Sequence, residues 1–506
     1  MRARCLLLLS LALGLGCPAR PPRPIVDAGA APAEAGSGLR DAGSPSGADS
    51  CGDDEDAPPP VHCELSPTVA AAKNPSALLS ALLARAAERN QAGQALRRTS
   101  TVLPHIAGRG TAQGSPLPPA SPTSAAATAA ADLGSPDRSD GSDRSDPALP
   151  LFREALSCAN TALRVLPDSL PGLRQRAIAQ RELSLADEAR DTLSRALALF
   201  PDDAETLALA ADLYISYLSA TREHSELGLL YAEQGRKRPL PKPPAAGTGK
   251  TPARRRKPPT TAPGSAPPLS EANRSLLARL WLLSGQALLD LGRATEALPA
   301  LDESLRLREL PEARYERAVA LFELVRPREA LTAFSALLAG SPPPPSRQAA
   351  FIHYHLGLIL EFLGQADEAE RELAAARAIL PEQFPEPLAV TPAAFKALVD
   401  TETRKLSPEQ AADLKRVQLE LAELPDPRDL TLETPPLSPT ILGLFRGLPL
   451  GDEPSEPRSI VLYRKNLLRA VRSPAELIRE IKKTLLHELG HLHGADEDDL
   501  REEGLE

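Results

Sequence analysis

Proline ends an α-helix, because its ring blocks the preceding turn and it lacks an amide proton, and this chain ends its helices at a regular interval. Pro167 and Pro201 lie 34 residues apart, closing the segments ALRVLP and ALALFP. The same period organises the neighbouring sequence. The stretch from Leu170 carries Ala177, Ala189, Leu193, Ala196 and Pro201, and the stretch from Ala278 carries Trp281, Gly285, Leu288, Ala297 and Leu301 at matching offsets. The stretch from Pro311 has Ala318, Leu321, Ala330, Phe334 and Pro342, and the one from Ala350 has Leu356, Gly357, Leu360, Ala369, Leu373, Ala376 and Pro381. Small residues at two crossing points let paired helices approach, larger ones fill the seam, and proline stops the second helix. One such hairpin cannot bury its apolar face alone, so the pattern demands a stack.

These residues resemble the tetratricopeptide repeat family. The resemblance implies a concave surface for a protein or peptide partner; the alternative is hairpin packing without a ligand. Degenerate copies are expected at about 150–167 and 204–236. Repeats then occupy 149–235 and 271–384, as two stacks or one interrupted stack. A basic proline-rich linker, 236–270, separates them. It contains GTGKT at 247–251, which imitates a phosphate loop, but Pro244 stands where a glycine is required and no strand or helix flanks it, so a nucleotide site is rejected. The 53 prolines and 31 glycines fall largely in segments without periodicity, which bury too little apolar surface to offset the entropy of ordering. Roughly half the chain is therefore expected to fold. Residues 18–73 read as a disordered tether, 74–103 as one isolated helix and 104–148 as a low-complexity linker.

At the N-terminus, Arg2 and Arg4 precede an apolar run from Leu6 to Leu15, followed by Gly16-Cys17. This is the layout of a secretory signal, too short to span a bilayer. The cysteine resembles the lipobox of bacterial lipoproteins, which implies lipidation of Cys17, residues 1–17 as the leader, and an exported chain held by a lipid anchor at a bacterial membrane in the cell envelope. Cys51 and Cys63 are spaced to close a small disulfide loop in such a compartment. Cys158 then remains as a buried structural thiol on a helix face. A net charge of −9 argues against a nucleic-acid partner.

The strongest chemical signal is HELGHLHGADEDDL, from His487 to Leu500. Ser473-Pro474-Ala475-Glu476 supplies a cap, a proline at the first helical position and a glutamate three beyond the cap. Leu477, Ile478, Ile481, Leu485 and Leu492 follow at helical spacing, and Gly494 suits a left-handed stop. On that helix His487 and His491 share one face a turn apart, a spacing that can hold Zn²⁺, with Glu488 near enough to reach a metal-bound water. The pattern extends as HExxHxxGxxE to Glu497, the expected third ligand, with Asp496 as the alternative. His493 falls off that face and reads as a helix-end residue.

The last 115 or so residues resemble the small bacterial zincin-like metallopeptidase family, a minimal zincin with a metzincin-type motif. Ile441-Leu442-Gly443-Leu444-Phe445-Arg446-Gly447, Ile460-Val461-Leu462-Tyr463-Arg464 and Glu480-Ile481-Lys482-Lys483-Thr484-Leu485-Leu486 carry the resemblance, with Phe395-Lys396-Ala397-Leu398-Val399 fitting its first helix. It implies a small α+β domain over 385–506, peptide or protein as substrate, Zn²⁺ as cofactor, and Glu488 as the general base that moves a proton from water to the leaving amine. The IVLYR strand is expected at the sheet edge beside the cleft, where an extended substrate can pair with it. The whole chain is then mainly α: a helical array, a small α+β domain and long disordered linkers. The rival is a non-catalytic scaffold whose repeats bind a partner and whose C-terminal domain is structural.

Overall fold

The computed structural model describes residues 62–63, 74–99, 146–241, 269–451 and 457–505. Cys17, Cys51 and the GTGKT segment lie outside them.

The array consists of antiparallel helix pairs. The first pair is α1 (Pro75–Thr99) with α2 (Leu149–Val165). Four regular pairs follow: α3 (Leu170–Glu182) with α4 (Ala186–Leu199), α5 (Ala204–Ser216) with α6 (Arg222–Lys237), α7 (Glu271–Asp290) with α8 (Ala294–Leu307), and α9 (Pro311–Glu323) with α10 (Pro327–Leu338). The last pair is α11 (Ser346–Phe362) with α12 (Ala366–Ile379). The repeat positions explain the pairing. A Cβ on Gly285 would meet Leu301 at 2.5 Å, and one on Gly357 would meet Leu373 at 2.6 Å, so glycine marks the crossings. Ala177, Ala189, Ala318, Ala330 and Phe334 are buried in the seams. The hairpin turns reach positive φ at Ser184, Gly292, Val325 and Gly364, the left-handed cap that ends many helices.

Two expectations are corrected here, and one alternative left open is decided. The helix expected to stand alone is α1, and it is the first half of a hairpin. Its arginines are not a solvated face: Arg85 and Arg89 pair with Glu154 at 2.7 and 2.6 Å, and Arg97 bridges Asp146 and Glu182 at 2.8 Å each. Its partner lies beyond a long low-complexity segment, so no local period connects the two. Second, Cys63 is bonded not to Cys51 but to Cys158, 95 positions along the chain. The thiol read as a solitary core residue thus ties residue 63 to α2, beside Ala86 and Ala159. Of the two arrangements left open, the array takes the single stack. Ile215, Leu229 and Ala232 share a core with Leu280, Leu283 and Ala287 across the basic linker, and Asn273 donates to the Pro241 carbonyl at 3.1 Å.

The C-terminal domain opens with α13 (Pro392–Thr403) and α14 (Pro408–Leu414), then β1 (Gln418–Ala422) and a short α15 (Pro427–Leu430). Strands β2 (Gly443–Arg446) and β3 (Ser459–Tyr463) follow, then α16 (Arg464–Ala470), α17 (Pro474–Leu492) and α18 (Glu497–Glu502). The strand order is β1-β3-β2, with β1 parallel and β2 antiparallel to β3. The strand carrying IVLY is therefore the centre of the sheet, not its edge, and all residues of β3 are buried. Its unbroken apolar run is what a strand covered on both faces requires. Ile460 and Leu462 pack on Leu477, Ile481, Leu485 and Leu489 of α17, with Phe395 and Val399 of α13 completing the core.

Candidate metal centre

Helix α17 begins as its sequence dictates. Ser473 accepts the Glu476 amide at 3.3 Å, Pro474 opens the helix, and Glu476 accepts the Arg472 amide at 2.6 Å. One face, Leu477, Ile481, Leu485, Leu489 and Leu492, is buried. The neighbouring face presents His487 and His491, half-buried and one turn apart. Gly494 then turns the chain at φ +84°. Asp496 caps α18 by accepting the amides of Asp498 and Asp499 at 3.0 Å. Its carboxylate is thereby committed to the helix start. Glu497, the next residue, turns toward the imidazoles, 3.5 Å from His491 Nε2 and 3.8 Å from His487 Nε2.

Each imidazole is fixed through its other nitrogen. His487 Nδ1 lies 3.1 Å from the Leu505 carbonyl and His491 Nδ1 3.0 Å from the Ala495 carbonyl. A carbonyl only accepts, so both rings carry their proton on Nδ1. Their Nε2 atoms are then bare, yet they face each other at 3.1 Å. Two lone pairs at that distance repel unless a cation, proton or metal, lies between them. His487, His491 and Glu497 each offer a ligand atom within 4.8 Å of the others. Tetrahedral zinc, with bonds of about 2.0–2.2 Å, sets neighbouring ligand atoms roughly 3.3–3.5 Å apart. The donor set, two imidazoles and a carboxylate, is also one that zinc takes, so the residues fit the ion. Glu497 beside the two rings holds the His491 pKa above its usual value, and burial lowers that of His487. The imidazoles in turn draw the Glu497 carboxyl below the ordinary range, His491 foremost.

Glu488, within electrostatic reach of His491 and Glu497, lies against strand β2 and is 5% exposed. Burial pushes its pKa up to about 7, opposed by the charge of His491 and by the Phe445 main chain. Strand β2 passes directly against it: a Cβ on Gly443 would lie 2.7 Å from Glu488 Oε1 and from Thr484 Cγ2. The Tyr463 amide donates to the Leu442 carbonyl at 2.9 Å. In an antiparallel ladder this turns the main-chain groups of Gly443 and Phe445 outward, onto the free edge. The edge beside the candidate site is thus β2, where IVLYR had been expected. His493, off the metal face, pairs with Asp413 at 2.8 Å.

Sequence reasoning passed over two further contacts. Gly490, inside HELGH, has no room for a side chain because Leu500 of α18, fully buried, lies against it. A glycine in a helix interior costs stability, and that was the available signal. The Leu505 carbonyl gave none, since main-chain partners leave no trace in side-chain identity.

Residues 414–505 match the family model for zincin-like metallopeptidases, so the chain ends in a zincin-like peptidase domain. No curated protein matches the chain. Several solved structures are similar to a little under half of this chain. The TPR protein YrrB, described as having an unusual peptide-binding site, is 17% identical, with 45% of this chain and 94% of that chain covered and a TM-score of 0.30. PilW, a type IV pilus biogenesis factor, is 18% identical over 46% and 89%, at 0.33. PilF of Pseudomonas aeruginosa is 13% identical over 46% and 87%, also at 0.33.

Proposed function

We propose that the C-terminal domain is a zinc-dependent peptidase in which His487, His491 and Glu497 hold the metal and Glu488 is the general base. The observation that carries this reading is the pair of bare Nε2 atoms 3.1 Å apart, each ring fixed through Nδ1. When bound, zinc supplies Lewis acidity, bringing the pKa of water toward neutrality and polarising a peptide carbonyl. Glu488 performs the proton transfer: its carboxylate, pushed up to about 7 by burial, takes a proton from water and delivers it to the amine nitrogen that leaves. The outward main-chain groups of Gly443 and the Phe445 carbonyl receive an extended peptide as an added strand, the Phe445 amide being held by Glu488. Asp496 acts by capping α18 rather than as a ligand.

In this reading the array holds the protein to be cut, and the chain is exported and lipid-anchored through Cys17. The Cys63–Cys158 bond supports an oxidising compartment. The test uses the full chain. Stoichiometric zinc is expected in the parent and absent from His491→Ala. Glu488→Gln is expected to keep the metal and lose hydrolysis of a mixed-peptide library. A parent without zinc, or a Gln variant that still cleaves, overturns the reading.

A further inference from the structure

We propose that the Gly504–Leu505 backbone is a positioning element of the metal centre: the Leu505 carbonyl fixes the ring of His487 and its tautomer, and so aims Nε2 at the point shared with His491 and Glu497. This rests on the zinc reading of those residues and adds to it a part that is no ligand.

The two imidazoles are held by different means. His491 uses the Ala495 carbonyl at 3.0 Å, in the turn that ends its own helix. His487 reaches 18 residues onward to Leu505. That carbonyl is held by a small knuckle. Gly504 takes φ +74°, its amide donates to the Arg501 carbonyl at 2.9 Å, and the Leu505 amide donates to the Leu500 carbonyl at 2.9 Å. Leu500 is itself locked beneath Gly490 of α17. The chain thus leaves the metal helix, supplies Glu497, and returns to hold the first histidine from behind.

An imidazole ligates through whichever nitrogen is bare, and the hydrogen bond made by the other nitrogen decides which that is. Without Leu505, His487 is free to carry its proton on Nε2, the nitrogen the metal needs. Loss of such an outer partner lowers metal affinity about 10–100-fold.

The test compares the parent with three forms of the full chain: one ending after Glu503, Leu505→Pro, which removes the amide that holds the knuckle, and Leu505→Ala, which keeps the main chain. Two measurements are made. Zinc affinity is read by competition with a chromophoric chelator. The His487 tautomer is read from imidazole ¹⁵N shifts in the zinc-free protein, with His487 assigned by its loss in His487→Gln. The shortened chain and Leu505→Pro are expected to bind zinc about 10–100-fold more weakly and to move His487 off the Nδ1–H tautomer at an unchanged melting temperature. Leu505→Ala is expected to match the parent in both. Unchanged tautomer and affinity in the shortened chain overturn the proposal and leave the zinc reading standing. A parent that binds no zinc sinks the peptidase reading, and the tautomer measurement still decides this one.

Discussion

Gly490→Ala tests whether α18 is braced against the metal helix. At an open position in a helix interior the change should stabilise by about 1 kcal/mol, since glycine carries the larger unfolded-state entropy. Position 490 is not open. The new Cβ falls on Leu500, whose side chain has no exposed surface to retreat to. Overpacking of this kind costs about 1–3 kcal/mol, so the net effect on folding is expected between about 0 and 2 kcal/mol of destabilisation. The strain is not spread evenly. Helix α17 is fixed by the core on its opposite face, whereas α18 is a short helix whose one buried residue is Leu500. The displacement therefore goes into α18 and carries Glu497 away from the imidazoles. At about 1.4 kcal/mol per decade, expressing the same 1–3 kcal/mol in the metal-bound state weakens zinc roughly 5- to 150-fold. Chelator competition measures the affinity and thermal denaturation the stability. Leu500→Ala, combined with Gly490→Ala, makes room for the methyl and should recover part of the affinity lost by the single variant. A Gly490→Ala protein that melts higher by the ordinary helix increment and binds zinc like the parent refutes the reasoning.

Two further outcomes concern the array. Replacing Cys158 by Ser removes a crosslink spanning 95 residues and is expected to cost about 2–5 kcal/mol, seen as a lower urea midpoint that the parent reproduces when reduced; equal midpoints for oxidised and reduced parent would dismiss the bond. Val325 adopts φ 55°, a left-handed turn that β-branched residues resist, so Val325→Gly is expected to raise stability by about 1 kcal/mol despite the glycine entropy, with a fall in melting temperature as the contrary result.

The helical array and the metal helix were legible because each is written in local spacing. Ala177, Gly285, Ala318 and Gly357 occupy the crossings that their period required, and Ser473, Pro474 and Gly494 bound α17 as their chemistry demanded. What failed to show was non-local. Helix α1 meets α2 across residues 100–148, and the cysteine pairing depends on that meeting. Cys51 is nearer Cys63 in sequence, but Cys158 is the one the fold brings to it. The strand order was hidden for a related reason. IVLYR is strongly β-forming, yet β propensity does not say whether a strand lies at the centre or the edge. Only its lack of polar alternation hinted at the centre, and β2, with Arg446 and a glycine, looked the weaker strand while holding the position beside Glu488.

The joint between array and metal domain constrains how the two act together. Glu361 of α11 accepts Lys465 Nζ at 2.6 Å and also pairs with Arg469. Both cations belong to α16, and Arg464, at the start of that helix, donates to the Val390 carbonyl at 2.6 Å. The Glu361 side chain is 11% exposed, and a carboxylate so enclosed cannot part from its cations without leaving a buried charge, at a cost of about 3–5 kcal/mol. Helix α16 continues directly from β3, the central strand, so whatever holds α16 holds the sheet. The array is therefore a fixed mount for β2 and the metal helix rather than a tethered neighbour. If the array holds a protein as proposed, it presents that protein to the metal domain from a fixed base rather than through a flexible linker.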